Sequence, residues 1–314
     1  MRYGFGVDIG GTTVKIAFFD EQGKMIDKWQ ITTNTSNGGS AILPDTAKSI
    51  RDYLQKNQIA DDHIIGVGVG VPGPVDEQGI VNRCVNLGWG MVDLHGELAR
   101  LTGFPVKGGN DANVAALGEC WKGSGAGSRS MVMATLGTGI GGGIVLDGKI
   151  IGGAHGAGGE IGHMVLNPTE SEICGCGKRG CAEQYCSATG VVRLANRYLA
   201  AHDDESVLRR KRVIHCKDVF DAAKKGDIAS MKILDQRFDL LGMFLANVCC
   251  TMDPEVIVLG GGVSKAGQML VDGATQAFAR YAFHACRGTR IVLASLGNDA
   301  GAYGAFKLAL DAFA

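Results

Sequence analysis

Residues 4–27 decide the fold, and their sequence is GFGVDIGGTTVKIAFFDEQGKMID. An apolar run reaches Asp8, a pair of glycines follows, and two further apolar runs are separated by the charged turn DEQGK. Alternating apolar residues bounded by turn residues are typical of β-strands, and they predict strands at 3–9, 13–19 and 25–32. The stretch therefore indicates the order strand, glycine turn, strand, charged turn, strand.

Residues 131–153 repeat this order in the sequence MVMATLGTGIGGGIVLDGKIIGG. Each copy is followed later by helices and by another strand that ends in glycines, VGVGVPGP at 67–74 and IVLGGGV at 257–263. A chain built from two such halves predicts two glycine turns that face each other across a cleft. Backbone N–H groups of glycine turns bind anions without side-chain bulk, so the turns suit the phosphates of a nucleotide. Chance similarity between two glycine-rich hairpins is the alternative.

The remaining periodicities complete an α/β pattern. Further strands are predicted at 64–71, 104–108, 131–136, 141–147, 255–259 and 290–294. Helices are predicted at 39–57, 93–102, 111–122, 187–201, 216–225, 229–251, 264–281 and 299–312. We expect a small α/β domain formed by 1–110 with about 299–314, and a large α/β domain formed by 111–298 that carries a zinc segment at 163–181.

Composition narrows the class of protein. The chain has 314 residues, of which 46% are hydrophobic, and this is enough for a sizeable core in one large or two medium domains. A formal net charge of −1 provides no basic field for nucleic acid or an anionic membrane. Asp8 interrupts the N-terminal apolar run, which excludes a signal peptide, and the uncharged run 130–146 is too short to span a bilayer. We therefore expect a cytoplasmic protein without nucleic-acid or membrane partners, in which ten cysteines form no disulfide framework.

Common nucleotide motifs are present only in part. Residues 143–149 fit G-x-x-x-x-G-K, but Ile150 replaces the hydroxyl residue that would bind magnesium. Two matches to G-x-G-x-x-G begin at Gly68 and Gly137, but the first runs into Pro72 and the second leads into a strand. Neither opens the helix that a dinucleotide fold requires, so NAD is not expected.

Eight motifs in order carry a resemblance to a known family. They are DIGGTTVK, GVPGPVD, NDANVAALGE, TLGTGIGGG, GGEIGH, CGCGKRGC, CAEQYCSATG and VLGGGVS. This set resembles the bacterial glucokinases of the repressor–ORF–kinase (ROK) sugar kinase family nearly from end to end. Lys178 stands where glutamine is common, and glycines precede Asn110, but neither departure touches a motif residue. The resemblance implies the actin-like ATPase (ribonuclease H-like) fold, with two similar α/β domains around a cleft, and a homodimer.

The resemblance assigns the nucleotide site residue by residue. It implies that Asp8 lies near Mg²⁺ and the phosphates of ATP. It assigns the first phosphate hairpin to Gly10, Gly11, Thr12, Thr13 and Lys15, the second to Thr138 and Gly139, and the adenosine loop to Gly260, Gly261 and Gly262. The residues themselves agree, because a carboxylate at Asp8 would repel the nucleotide unless a cation intervened. An aspartate that only caps the turn is the alternative.

The resemblance also assigns the sugar site. It implies that glucose is bound by the Gly73 backbone, Asn86, Asn110, Asp111, Glu160, His163 and Glu183. Carboxylates and amides suit a hexose because they bond to pairs of hydroxyl groups. The family's catalytic base falls on Asp111. Because NDAN begins a helix, an N-cap role for Asn110 and Asp111 is the alternative.

The pattern His163-x10-Cys174-x-Cys176-x4-Cys181 offers one imidazole and three thiolates. Four such donors form a closed tetrahedral set that suits structural zinc. Lys178 and Arg179 could instead lower a thiol pKa, so the spacing leaves a redox role open. The resemblance implies zinc, which fixes the segment that bears the sugar residues.

The function implied is ATP-dependent phosphorylation of glucose at the 6-hydroxyl. A kinase for another hexose, N-acetylmannosamine or fructose, is an alternative, since small pocket differences set specificity. A sugar-sensing repressor of the same family is less favoured, because the first phosphate strand begins by about residue 4 and leaves no room for a helix-turn-helix. A catalytically inactive sugar-binding protein is disfavoured by Asp111 and the two phosphate hairpins.

Overall fold

The computed structural model describes residues 1–314. Its strands are β1 (Tyr3–Ile9), β2 (Thr13–Asp20), β3 (Met25–Thr32), β4 (Ile64–Val71), β5 (Ile80–Val81), β6 (Val92–Asp93), β7 (Val106–Asn110), β8 (Ser130–Leu136), β9 (Ile140–Leu146), β10 (Lys149–Ile150), β11 (Val256–Gly260) and β12 (Arg290–Leu293). Its helices are α1 (Ser36–Gly39), α2 (Ile42–Lys56), α3 (Leu94–Thr102), α4 (Asp111–Lys122), α5 (Glu183–Cys186), α6 (Ala188–Ala201), α7 (Cys216–Lys224), α8 (Ile228–Met252), α9 (Gln268–Tyr281) and α10 (Ala300–Phe313). Short 3-10 turns connect several of these elements.

The first sheet has the strand order β3-β2-β1-β4-β7. The neighbours β1, β2 and β3 pair antiparallel, whereas β4 and β7 continue the sheet in parallel from β1. The apolar alternation of β1 places Phe5, Val7 and Ile9 in the core against α2 and α3. On β2, Phe19 is buried and stacks on Phe306 of α10, with ring centroids 4.8 Å apart. Helices therefore cover both faces of the sheet.

The second sheet has the order β10-β9-β8-β11-β12. In each sheet the strand that comes first in the chain is central, the next two lie on one side, and two later strands add in parallel on the other. The internal similarity in the sequence thus corresponds to two sheets of one topology. This arrangement confirms the predicted two-sheet α/β class.

The chain divides into two compact units. The first unit contains residues 1–127, 143–158 and 295–314, and the second contains 128–142 and 159–294. The predicted domains divide the chain differently, because α4 and residues 143–158 belong to the first unit here. The sequence pattern did not show how closely α4 packs on α10.

Two glycines bring α4 and α10 together within the first unit. A Cβ atom at Gly304 would lie 1.7 Å from the Val114 carbonyl oxygen, and one at Gly118 would lie 2.2 Å from the Ala300 carbonyl oxygen. The backbones therefore touch directly, and no side chain fits between the helices. This contact holds the helix that begins at Asp111 against the sheet.

We expect Gly304→Val to destabilise the protein by about 3 kcal/mol or more, because the added methyl groups must force two buried helices apart. Ala312→Val is the matched control, since Ala312 is an exposed residue of the same helix. It should cost only a few tenths of a kcal/mol through helix propensity. Urea denaturation of both variants measures the difference, and equal midpoints would contradict the close packing.

The second unit is built around α8, whose 25 residues run through its core. Leu241, Phe244 and Leu245 are fully buried, and α6, α7 and α9 pack around this helix. Arg237 is also fully buried, and its Nη2 atom donates to the Cys186 carbonyl oxygen at 3.1 Å. This bond connects α8 to the end of α5.

The structure differs from the predicted elements mainly at boundaries. The strand predicted at 104–108 lies at 106–110, so β7 runs into α4 without a loop. The helix predicted at 264–281 is interrupted at Gly267, which follows a 3-10 turn at Gly262–Ala266. The short elements β5, β6, β10, α1 and α5 were not predicted. None of the helices combines the length and the apolar character needed to cross a membrane.

Candidate active site

The first glycine turn lies between β1 and β2. The Gly10 N–H donates to the Thr13 carbonyl oxygen at 3.0 Å, which closes the turn. The pairing of these strands places Lys15 opposite Asp8, and the ammonium nitrogen lies 3.2 Å from the carboxylate. The Asp8 side chain is 19% exposed. An anionic side chain and a cation therefore stand beside a turn whose N–H groups can bind phosphate.

Two other elements of the first unit adjoin this turn. The first turn of α10 reaches Asp8, since a Cβ atom at Gly301 would lie 2.8 Å from the Asp8 carboxyl carbon. Helix N-termini attract negative charge, so the first turn of α10 is a favourable neighbour for the Asp8 side chain. Asn86 lies in a 3-10 turn, and its carbonyl oxygen would be 3.4 Å from a Cβ atom at Gly11. The structure thus places Asn86 next to the first phosphate hairpin.

The junction of β7 and α4 positions Asn110 and Asp111. Asn110 is the N-cap, and its side-chain oxygen accepts the N–H groups of Ala112 and Asn113 at 3.1 and 3.2 Å. Its amide donates to the Gly73 carbonyl oxygen at 3.2 Å, which joins these two predicted sugar residues. Asp111 is the first helical residue, and the N-cap position itself is occupied by Asn110.

The Asp111 carboxylate lies at the positive end of α4. One of its oxygens accepts the Ala112 N–H at 2.8 Å. The N-terminal N–H groups of a helix stabilise a carboxylate as an anion. Asp111 therefore stands at the N-terminus of α4, at the point where a strand passes directly into a helix.

His95 supports the strand that leads to this junction. Its Nε2 atom accepts the Gly108 N–H of β7 at 2.7 Å, which requires an unprotonated Nε2. Burial lowers the pKa of His95 below its ordinary value of 6.5, and the nearby Lys107 lowers it further, whereas Asp93 and Asp76 oppose the shift. Protonation would break this bond at the edge of the sheet.

A histidine whose pKa is lower in the folded than in the unfolded protein stabilises the fold. This stabilisation is fully present above the pKa of the unfolded protein, and it is lost as the pH falls through the pKa of the folded protein. We expect the Tm of the wild type to fall more steeply than that of His95→Gln between about pH 7.5 and pH 5. Glutamine keeps an acceptor but does not titrate. Calorimetry of both proteins at a series of pH values measures these Tm changes. The same dependence of Tm on pH in the two proteins would contradict a contribution from the bond to Gly108.

The four predicted metal ligands gather in the second unit. The donor atoms of His163, Cys174, Cys176 and Cys181 all lie within 4.8 Å of one another. The sulfur atoms of Cys176 and Cys181 are 3.6 Å apart, and the Cys174 sulfur is 3.8 Å from His163 Nδ1. Tetrahedral zinc holds such ligand atoms about 3.3–3.8 Å apart. The donor set therefore fits zinc in type and number, and the Cys176–Cys181 and Cys174–His163 pairs also fit it in spacing.

The thiols of this cluster have divergent acidities. Burial raises the pKa of Cys174, and it raises the pKa of Cys181 to about 12. The exposed Cys176 has a lowered pKa, because the Lys178 backbone N–H bonds to its sulfur. A dithiol switch would need only two of these groups, whereas a metal site accounts for all four.

His163 and Glu183 connect the cluster to polar groups around it. His163 Nδ1 faces Cys174, and its Nε2 lies 3.8 Å from a carboxylate oxygen of Glu160. One oxygen of Glu183 accepts the Ile140 N–H at 2.9 Å, and the other lies 3.6 Å from the Cys174 sulfur. The structure therefore brings together the three sugar residues predicted for this unit.

An ion pair between the partly exposed Arg197 and the buried Glu170 fixes the segment between His163 and the cysteines. Arg197 of α6 binds both carboxylate oxygens of Glu170, at 2.8 and 2.9 Å, and the Tyr185 hydroxyl donates to the same group at 2.6 Å. The Arg197 guanidinium holds the pKa of Glu170 well below its usual range. The segment 163–181, which carries the four residues of the cluster, is thus anchored on α6 independently of any metal.

The second glycine turn lies between β8 and β9. The Gly137 N–H donates to the Gly139 carbonyl oxygen at 2.9 Å, and the Thr189 hydroxyl of α6 donates to the Thr138 carbonyl oxygen at 2.7 Å. Gly261 follows β11 with a φ of +78°, and a Cβ atom there would lie 2.6 Å from the Leu136 carbonyl oxygen. Glycines 260–262 therefore lie beside the strand that enters the second turn.

These features define a class of protein. Two sheets share the topology of the actin-like ATPases, each sheet has a glycine turn after its central strand, and a carboxylate stands at a strand-to-helix junction. A Cys₃His cluster adjoins the carboxylates of the second unit. The class is that of actin-like phosphotransferases, with a Cys₃His cluster that could hold a metal ion.

Comparison with known proteins gives the family. The ROK family model matches residues 4–312, and the chain belongs to the ROK family. A glucokinase of Halalkalibacterium halodurans is 41% identical over 308 residues, which cover 96% of this chain and 93% of that protein.

Two solved structures share the fold. The ROK hexokinase of Thermus thermophilus is 30% identical and superposes with a TM-score of 0.83 over 99% of both chains. A ROK family glucokinase of Streptomyces griseus, solved in complex with glucose and AMPPNP, is 31% identical with a TM-score of 0.75 over 98% of both chains. The actin-like ATPase fold predicted from the resemblance is confirmed.

Sequence reasoning missed three residues near these groups. Asn113 lies within the quoted NDAN motif, but its contact with Gly158 joins residues 45 apart. His95 belongs to none of the sequence motifs quoted above. Ile140 falls between the strands predicted at 131–136 and 141–147 and had no predicted role, although its N–H binds Glu183.

Proposed function

We propose that the protein is an ATP-dependent glucokinase that transfers the γ-phosphoryl group to the 6-hydroxyl of glucose. The observation that carries the proposal is the placement of Asp111 at the first turn of α4, where Asn110 takes the capping role. The Asn110 cap remains in place whichever residue stands at position 111. Similarity to glucokinases over nearly the whole chain supports glucose as the acceptor and ATP as the donor.

Asp111 acts as the general base. Its carboxylate accepts the proton of the 6-hydroxyl while that oxygen attacks the γ-phosphorus, and ADP leaves with the bonding electrons. Phosphoryl transfer needs little covalent assistance from a protein, so positioning and charge neutralisation supply most of the rate. The base still contributes, because it removes a proton that would otherwise remain on the attacking oxygen.

The glycine turns bind the nucleotide. Gly10 closes the first turn, the N–H groups of Gly11, Thr12 and Thr13 bind phosphate oxygens, and Lys15 adds a positive charge beside Asp8. Thr138 and Gly139 form the second phosphate hairpin, and glycines 260–262 contact the adenosine. Mg²⁺ bound with ATP near Asp8 would neutralise charge on the phosphates.

The sugar is held by amides, carboxylates and one imidazole. Asn110 and the Gly73 backbone are joined by a hydrogen bond in one unit, and Glu160, His163 and Glu183 cluster in the other. Zinc in the Cys₃His site would hold the loop that presents these three residues. We also propose a homodimer on the basis of the family resemblance, and sedimentation velocity tests it.

A hexose panel tests the function. Zinc-loaded protein is assayed with ATP and Mg²⁺ against glucose, fructose and N-acetylmannosamine, with ADP release coupled to a spectroscopic readout. We expect the highest kcat/KM for glucose. A higher kcat/KM for another sugar would establish the alternative hexose kinase, and no turnover with any sugar would refute the kinase function.

A further inference from the structure

Asn113 stands in the first turn of α4, two residues after Asp111. The residue is only 5% exposed. Its side-chain Nδ2 donates to the Gly158 carbonyl oxygen at 3.2 Å. Its Oδ1 atom is buried and has no donor within hydrogen-bond distance. Half of this buried amide is therefore satisfied and half is not.

The unsatisfied atom is the oxygen, whichever way the amide is considered. The Gly158 carbonyl can only accept, so the group that faces it must be the NH₂ group. A rotated amide would place two acceptors against each other. A buried acceptor without a partner is costly, and native folds retain such groups mainly where they serve a function.

Asn113 also lines a cavity of about 800 Å³ in the first unit. Asn110 lines the same cavity, together with Lys107, Asp76, Gly152 and Gly153. Its wall thus includes one residue of the proposed sugar site and several polar groups. Asn113 thus lines the cavity beside Asn110, and its unpartnered oxygen is shielded from solvent in the sugar-free protein.

The partner of the Asn113 amide belongs to a glycine-rich loop, residues 152–158. The Gly158 N–H donates to the Gly152 carbonyl oxygen at 2.7 Å, which closes the loop at its base. Gly158 is also the last residue of its segment in the first unit, and Glu160 follows two residues later. The Asn113 amide therefore anchors the chain just before a proposed sugar residue.

We propose that Asn113 is a positioning residue for the hexose: its amide anchors the loop 152–158, and its carbonyl oxygen accepts a hydrogen bond from a hexose hydroxyl, directly or through one water. The inference rests on the proposed sugar kinase function. The acceptor is buried at an energetic cost in the free protein and gains its donor in the sugar complex. Asn113 thus raises the free energy of the sugar-free protein relative to that of the sugar complex.

Two substitutions separate the two halves of the amide. Asn113→Leu keeps the volume and removes both the donor and the acceptor. Asn113→Asp keeps an acceptor oxygen and removes the donor to Gly158. Thr102→Val is the matched control, because Thr102 is buried in the same unit and its hydroxyl donates to the Leu98 carbonyl oxygen at 2.8 Å.

We expect Asn113→Leu to raise the glucose Kd and KM by ~10-fold while kcat changes by less than ~3-fold, since only binding loses a hydrogen bond. The Tm of the free protein should change little, because an unsatisfied acceptor is removed together with the amide bond. Asn113→Asp should weaken glucose binding less than Asn113→Leu does, because it loses the anchor to Gly158 and keeps the acceptor oxygen. Thr102→Val should lower Tm and leave the glucose Kd unchanged.

Calorimetric glucose titration, steady-state kinetics and thermal unfolding make these measurements. An unchanged Kd in Asn113→Leu, or equal losses of affinity in the leucine and aspartate variants, would overturn the acceptor role. If the leucine variant does not fold, the aspartate variant decides, because a loss of glucose affinity there of ~10-fold contradicts the proposal.

Hydrogen exchange of the loop separates this inference from the proposed function. Both variants should show faster amide exchange at residues 152–158 in the sugar-free protein, and unchanged exchange would overturn the anchoring role. If wild-type protein binds N-acetylmannosamine and not glucose, the choice of glucose fails, and the same variants titrated with N-acetylmannosamine test Asn113.

Discussion

Asp111→Asn should lower the kcat for glucose phosphorylation by at least ~10²-fold, the usual contribution of a general base. Asparagine has nearly the same size, and its oxygen can still accept from the 6-hydroxyl. Glucose affinity should therefore stay within a few-fold of wild type. Calorimetric titration beside a steady-state assay separates the loss of turnover from any loss of binding.

The structure makes this substitution more informative than the sequence did. Asn110 is the N-cap of α4, so replacing Asp111 does not remove the cap. Asp93→Asn is the matched control, because Asp93 caps α3 in the same unit and accepts the Gly96 N–H at 2.8 Å. It should leave turnover unchanged, since asparagine caps as well as aspartate. Near-normal turnover of Asp111→Asn would refute the base assignment, and equal losses of binding and turnover would indicate a sugar anchor instead.

Cys176→Ala should cost the protein its zinc, several kcal/mol of stability and much of its glucose affinity. Structural zinc contributes about 10–16 kcal/mol of apparent binding energy in small zinc peptides, and a three-ligand remnant binds far less tightly. For this chain we expect a Tm lower by ~10 °C or more. Glucose affinity should fall with it, because His163 is a predicted metal ligand and also lies beside Glu160.

The matched control for the metal is Cys250→Ala, since Cys250 is an exposed free thiol of α8 far along the chain from the cluster. It should keep about one zinc per chain, as a four-ligand site requires. Mass spectrometry for zinc, calorimetry and glucose titration are made on both variants. Active wild-type protein without zinc would contradict the metal assignment, and a Cys176→Ala variant with unchanged Tm would contradict its structural role.

Local patterns allowed much of the fold to be predicted. The strands β1 to β3 follow from the alternation in residues 4–27, because neighbouring antiparallel strands are joined by short turns that the sequence displays. The repeat at 131–153 likewise predicted the second sheet. The start of α10 beside Asp8, by contrast, depends on Gly301 packing against a strand almost 300 residues earlier, and no local pattern records such a contact.

In the candidate site, too, features formed by residues close in the sequence could be predicted, and contacts between distant residues could not. The Cys₃His cluster could be predicted because three of its ligands come from one eight-residue stretch. The hydrogen bond from Ile140 to Glu183 and the bond from Asn113 to Gly158 could not, since each joins residues more than 40 positions apart. The roles of Asn110 and Asp111 also required the structure, because the choice of N-cap depends on where β7 ends.

The position of the phosphate on the product tests directly whether the protein transfers the γ-phosphoryl group to the 6-hydroxyl of glucose. Zinc-loaded protein is incubated with glucose, ATP and Mg²⁺, and the product is examined by proton–phosphorus correlation NMR. We expect ADP and a single sugar phosphate whose phosphorus couples to the two protons on carbon 6. A phosphate on another carbon, or ATP hydrolysis to free phosphate without a sugar phosphate, would contradict it.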